Sequence, residues 1–264
     1  MSVFKKYQQL ESFFIEYSNE FLCISDVVTK AVNLKISHTF RVCKEMEDLC
    51  RVLKLTDENM YANLIVALLH DVGRFEQFKK FNTFSDKHSL NHASLAVEII
   101  IEKKLLNSLS DHLQQLILLA IQNHNKMNLP VSLNGEEFLF CSLIRDTDKL
   151  DIYRVTTEHY TRADEDLKKI IDIGIEGVAD ISEEIVECII NKQNIDYGKL
   201  KNLNEFKMAQ IGWIFDLNYP QSVALIKKRG YYDTLKSHLP QNEKTLKAFA
   251  VVDKYILEKM TSLE

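Results

Sequence analysis

Glycine and proline are nearly missing from this chain: seven Gly and three Pro among 264 residues, against a usual share of roughly 12%. Folds that reverse direction every few residues depend on those two for tight turns. β-Sandwiches, Gly-rich phosphate loops and collagen-like segments are therefore disfavoured, and the scarcity predicts an all-α protein. The length suits one large core or two smaller ones, since single cores stop growing near ~250–300 residues.

Hydrophobic spacing agrees with that expectation. Val3, Phe4, Tyr7, Leu10, Phe13, Phe14, Tyr17 and Phe21 recur at three and four residues, as on one face of a helix. Phe40, Cys43, Met46, Leu49, Cys50 and Leu53 repeat the pattern, and Thr56-Asp57-Glu58 then supplies capping residues for a helix over about 57–70. The stretch 74–90 reads as a loop or broken helix. Further helices are expected at about 91–106, 110–124, 136–160 and 243–262, with a loop from Asn125 to Gly135 around Pro130. Past residue 165 the apolar positions, among them Ile170, Ile171, Ile185, Ile189 and Ile190, keep helical spacing. The simplest division is a core with its N-terminal helix over 1–164 and a helical C-terminal cap over 165–264, packed on the same core.

Hydropathy and charge exclude several roles. The longest apolar run, Leu64–Leu69, is far short of the ~20 residues that span a bilayer, so no membrane partner is expected. A net charge of −5 gives no overall attraction to nucleic acid, although a local basic patch could still hold a phosphate. Five Cys, at 23, 43, 50, 141 and 188, form no CxxC pair. They read as reduced core thiols of a cytoplasmic protein.

Four of the eight His, namely His38, His70, His92 and His124, fall at predicted helix ends or faces, and Asp71 directly follows His70. Asp146 lies on the long helix in Arg-Asp-Thr-Asp-Lys. Imidazoles with carboxylates suit Fe, Mn, Co, Ni or Zn, and the absence of Cys argues against a structural zinc site. Neighbouring residues on a regular helix diverge by about 100°. His70 and Asp71 can thus address one ion only where the helix ends, which Gly73 permits.

His38-Thr-Phe-Arg-Val, Leu68-Leu-His-Asp-Val-Gly-Arg74, Asn91-His-Ala-Ser-Leu-Ala-Val97, Asn123-His124-Asn and Arg145-Asp146-Thr-Asp-Lys149 together resemble the successive motifs of the HD superfamily of metal-dependent phosphohydrolases, over about residues 36–155. The resemblance implies an HD-domain helical bundle with a C-terminal helical extension. It also implies a binuclear site, with His38, His70, Asp71 and Asp146 on the first divalent ion and Asp71, His92 and His124 on the second. Many members carry Gly four residues after the third motif's His; Ala96 stands there and is small enough for close packing. The Gly-Tyr-Pro signature of the cyclic-di-GMP phosphodiesterases is missing. The ligand pattern is closer to bacterial HD enzymes that cleave symmetrical dinucleoside tetraphosphates, but ligands do not transfer a substrate.

Two divalent ions (Fe, Mn, Co, Ni, Zn or Mg) lower the pKa of bound water and neutralise phosphoryl oxygens, so no protein nucleophile is needed. Fixed cations must still meet the phosphoryl group. Arg74 and Lys149, each three residues past an expected ligand, are the nearest candidates, with Arg41 behind them. Asp148 and Asp151 are read as supporting or capping carboxylates, with surface exposure the simpler expectation. His88, His112, His159 and His238 are read as non-ligands, and Phe75, Phe78, Phe81 and Phe84 as helix packing. The leading expectation is a phosphohydrolase acting on a small phosphorylated metabolite, a nucleotide above all. An HD-fold di-iron oxygenase uses the same six ligands, and a non-enzymatic signalling module could keep the fold. Trp213, Asp216, Asn218, Lys227, Lys228 and Arg229 lie in the unassigned C-terminal third.

Overall fold

The apolar run Leu64–Leu69 forms the second half of a helix buried almost all round. In the computed structural model, which describes residues 1–22, 24–161, 171–172 and 175–263, this helix is Asp57–Leu69 (α3). It begins where the Thr56 hydroxyl accepts the Asn59 amide, and from Ala62 to Leu69 no residue exceeds 5% exposure. A helix apolar on every side belongs at the centre of a bundle. Accordingly α3 packs against α1 (Val3–Asn19), α2 (Asp26–Val52) and α6 (Asp111–Asn123). Each fully buried Leu, Ile or Val there contributes about 1.5–3 kcal/mol. None of the helices is long and apolar enough to cross a membrane, among the described residues.

The remaining helices of the N-terminal region complete the bundle. The helix Gly73–Phe81 (α4) stops at Asn82, whose left-handed backbone (φ 53°) ends it, and a short 3-10 turn at Asp86–His88 leads into α5 (His92–Glu102). The expected broken helix over 74–90 thus resolves into α4 and this turn. Asn91 caps α5 by accepting the Ser94 amide at 3.0 Å. That helix ends before the expected residue 106 because Lys104 turns left-handed, and the turn still buries Leu105 and Leu106. The longest expected helix is observed as Gly135–Thr161 (α7). Phe75 is buried against Phe14 and Phe21, so that part of the aromatic stripe is packing.

Gly73 fixes one crossing. A Cβ at this position would lie 2.5 Å from the His92 carbonyl oxygen and 2.7 Å from the Ala96 nitrogen. Only glycine lets the start of α4 lie this close to α5. Ala96 is fully buried at the same crossing.

The chain divides into two compact units, Met1–Asp151 and Ile152–Glu264. The break falls within α7, ahead of the expected division between 164 and 165, which lies outside the described residues, as do Cys23 and Ile170. The second unit contains α8 (Glu183–Ile190), α9 (Leu203–Gly212), α10 (Pro220–Lys228), α11 (Tyr231–Ser237) and α12 (Glu243–Thr261). Within it α12 packs against α8 and α10, and the buried Tyr153 hydroxyl donates to the Gln210 carbonyl at 2.7 Å. No strand occurs among the described residues; the protein is all-α. Cys43, Cys50 and Cys141 are buried free thiols.

Candidate metal centre

The central helix α3 ends on His70, and α4 starts three residues later at Gly73. The intervening break turns both His70 and Asp71 to the same side, at the centre of the bundle, where they are 0% and 3% exposed. His38 reaches them from the middle of α2, His92 from the first residue of α5, and His124 from the end of α6. Asp148 enters from α7. Three overlapping groups form: His38, His70 and Asp71; His70, His124 and Asp148; and Asp71, His92 and His124. Within each, the potential ligand atoms lie within 4.8 Å of one another.

The Asp71 carboxylate divides the cluster in two. Its Oδ2 is 3.5 Å from both His38 Nε2 and His70 Nε2. Its Oδ1 is 3.5 Å from His92 Nε2 and 3.9 Å from His124 Nε2. Asp148 Oδ1 lies 3.1 Å from His38 Nε2 and 3.7 Å from His70 Nε2, so the second carboxylate belongs to the Oδ2 side.

Every imidazole is oriented through its other nitrogen. Nδ1 of His38 meets Asp151 at 2.7 Å, Nδ1 of His70 the Ala67 carbonyl at 2.8 Å, Nδ1 of His92 Asp86 at 2.7 Å, and Nδ1 of His124 the Ile121 carbonyl at 2.6 Å. Those oxygens only accept, so each Nδ1 carries a proton and each Nε2 of the neutral ring offers a lone pair, the usual arrangement behind ligating histidines. Nε2 of His38 and of His70 has no hydrogen-bond partner although buried. Nε2 of His92 and of His124 face each other at 2.9 Å, two lone pairs that a cation between them would satisfy. The donor set fits divalent ions.

Electrostatics carries the same demand. Burial opposes ionisation of Asp71, but Lys35, His70 and Arg74 outweigh it and hold the carboxyl well below its usual range. His38 and His70 do the same for Asp148 against its burial. Burial alone would discharge His70, yet Asp71 and Asp148 raise it to about 10: two carboxylates call for positive charge where its Nε2 points. Burial first and Arg74 second lower His92 to about 4, and burial with the neighbouring imidazoles lowers His124.

A family profile for the HD domain matches residues 36–173. The chain belongs to the HD domain family. No curated protein and no solved structure matches it.

Five of the six expected ligands of this HD domain, His38, His70, Asp71, His92 and His124, come together. The sixth expectation is corrected: Asp148, not Asp146, faces the imidazoles. Two residues along a helix are about 200° apart, so only one of the two can point to the centre; Asp146 is fully buried but belongs to no metal-holding group among the described residues. Lys149 was expected to share the ligand face with Asp146, and that face is not the one meeting the imidazoles. A residue next to Asp148 leaves the helix about 100° further round. The expected exposure of Asp151 is also corrected, for its side chain is 1% exposed and holds both His38 and Arg41.

Arg74 does stand at the centre: its Nε is 3.4 Å from Asp71 Oδ1, while its Nη1 donates to Gln77, Asp86 and the Phe84 carbonyl. Lys35 was missed. One turn before His38, its Nζ lies 2.6 Å from Asp71 Oδ2, and that i, i+3 spacing was the available signal. Asp86 was missed as well: it takes His92 Nδ1, Gln77 and Asn125, six residues ahead of His92 across a turn that no periodicity marks. His88 is exposed and bonds Ser85. Arg145, buried in α7, donates to the His124 and Met127 carbonyls and fixes the chain after α6.

Proposed function

We propose that this HD domain protein is a metal-dependent phosphohydrolase, with His38, His70, Asp71 and Asp148 holding one divalent ion and Asp71, His92 and His124 a second. The observation that carries the reading is the division of Asp71, whose two oxygens face different pairs of imidazoles. One carboxylate that serves two neighbouring positions is the way a protein keeps two ions close. Bound there, such ions act as Lewis acids and acidify water.

The chain's own residues do the rest. Asp151 and Asp86 fix the two outward-supported imidazoles, so the ligand atoms need little reorganisation. Arg74, anchored at Gln77, Asp86 and the Phe84 carbonyl, keeps a guanidinium beside Asp71 to receive phosphoryl oxygens. That cation supports phosphate chemistry over the oxygenase use of the same ligands. The proposed substrate is a small phosphorylated metabolite, a nucleotide in the first instance, hydrolysed in the cytoplasm without nucleic-acid or membrane partners.

The test is metal analysis of the purified protein beside a panel of phosphomonoesters, phosphodiesters and nucleotides. Bound divalent metal with phosphate release is the expected result. A protein that takes up no metal overturns the reading, and so does one that holds iron, consumes O2 and releases no phosphate.

A further inference from the structure

Lys35 sits where its present partner would be taken from it. Its ammonium pairs with Asp71 Oδ2 at 2.6 Å, the oxygen that also faces His38 and His70. Across the carboxylate, Arg74 Nε lies 3.4 Å from Oδ1 and is buried without a hydrogen-bond partner. The two cations therefore flank the two oxygens of Asp71, one on each side. Both also lie over the same ring: Lys35 Nζ is 5.4 Å and the Arg74 guanidinium 5.6 Å from the centre of Phe84. Cation–ring attraction of this kind holds each charge in place. Their side chains are 16% and 14% exposed, which leaves them at the edge of the cluster and not sealed within it.

We propose that Lys35 and Arg74, held over Phe84, form a subsite for a dianionic phosphoryl group, so that the substrate is a phosphomonoester or a terminal phosphoanhydride and not an internal diester. The proposal rests on the metal-site reading above. Divalent ions on Asp71 would draw on the same lone pairs that Lys35 now uses, and an ammonium beside them is repelled unless another anion comes between. Charge gives the class of that anion. Arg41 and Asp151 neutralise one another, with Arg41 Nη2 donating to Asp151 at 2.9 Å, and Arg74 and Asp86 do so at 3.1 Å. Asp71, Asp148 and Lys35 then leave one negative charge against two divalent ions. The excess positive field favours two negative charges over one, and an ammonium and a guanidinium together offer the donors that a terminal group's oxygens can accept.

The experiment is calorimetric titration of the manganese-loaded protein with inorganic phosphate and with dimethyl phosphate, at a pH where phosphate is the dianion. Wild type should bind inorganic phosphate at least about tenfold more tightly than dimethyl phosphate. Lys35→Met should weaken inorganic phosphate by roughly 10–100-fold, the span of one charge-assisted hydrogen bond, with manganese stoichiometry and dimethyl phosphate affinity unchanged. Lys35→Arg should restore phosphate binding to within a few-fold, which sets the charge apart from a folding defect. Unchanged phosphate affinity in Lys35→Met overturns the subsite, more so if manganese binds tighter, for Lys35 is then only the counter-ion of Asp71. Equal affinity of wild type for the two anions overturns the dianion preference. A wild type that takes up no manganese sinks the metal-site reading itself, a failure distinct from the other two.

Discussion

The buried imidazoles and carboxylates at the centre of Met1–Asp151 face one another, whereas in Ile152–Glu264 the buried Asn202, Asn204 and Glu205 face backbone. In the second unit Glu205 accepts the Ser182 and Lys201 amides, Asn202 accepts those of Asn204 and Glu205, and Asn204 donates to the Ala179 carbonyl. Side chains also meet there: His159 and Asp172 are 3.4 Å apart, and the Tyr160 hydroxyl donates to Gln210 Oε1 at 3.3 Å. The backbone contacts close helix ends and loops, and each is complete within itself. In the first unit, by contrast, four imidazoles and two carboxylates converge, while the second has no group of three potential metal ligands among the described residues. Burial of a polar group is thus no sign of chemistry; convergence of lone pairs on one point is.

The largest effect that could break this contrast is at Asp71. Asp71→Ala should remove both proposed ions and all phosphate release, because each of its oxygens faces a different pair of imidazoles. Elemental analysis that finds one ion retained would show that the carboxylate does not serve both. Next in size is a paired test on α7. Asp148→Asn should empty the position shared with His38 and His70, whereas Asp146→Asn should keep the metal content of wild type and lower only stability, by about 1–3 kcal/mol for a disturbed buried polar group. The reverse result would return Asp146 to the ligand set.

That pair also shows how far the sequence could be read. The capping residues Thr56-Asp57-Glu58 mark the start of α3, Gly73 the break after His70-Asp71, and Pro130 and Gly135 the loop ahead of α7. The four His and Asp71 were legible from motif order. Between Asp146 and Asp148 the pattern is silent, for Asp146 ends a run buried from Phe140 to Thr147 and Asp148 directly follows it, and the ligand is settled by the rotation of α7. Asp151 becomes legible once Asp148 is chosen, as the residue three further on along the same face. Asp86 was beyond reach because its role depends on how a turn folds over α4. Lys35 was in plain view one turn before His38, but a lysine on an amphipathic helix reads as a solvated charge.

A smaller effect sharpens the comparison from inside the metal centre. Asp86 touches no expected ion position, yet both its oxygens approach His92 Nδ1, at 2.9 and 2.7 Å, and its side chain is 30% exposed, against 1% for Asp151 behind His38. The proposed second ion position therefore has the more accessible support. Asp86→Asn should weaken the second equivalent of metal by roughly 10–100-fold, the usual cost of losing a carboxylate behind a ligating histidine, and leave the first unchanged. Equal weakening of both, measured by competition with a chelator, would mean that the two positions form as one.

The smallest predicted effect lies in the second unit, at Glu205. Burial works against its charge, but the Ser182 hydroxyl and the Lys201 and Ser182 amides outweigh burial and lower its pKa. A carboxylate whose native pKa is depressed stabilises fully above the unfolded value of about 4.3, and the gain disappears as pH falls through the native value. Glu205→Gln keeps the shape and one acceptor but turns an amide NH2 toward one of the two backbone donors, at a cost of about 1–2 kcal/mol at pH 7. As pH falls below the unfolded value and through the depressed native one, the carboxyl protonates and the two proteins should converge in stability. Denaturant melts at pH 7 and pH 3 read this directly. A difference as large at pH 3 as at pH 7 would mean that geometry and not charge holds the Ser182 and Lys201 segments together. Metal content at pH 7 should not change, because the contacts of Glu205 close on its own unit's backbone; a Glu205→Gln protein that lost metal would break the separation between the two uses of buried charge.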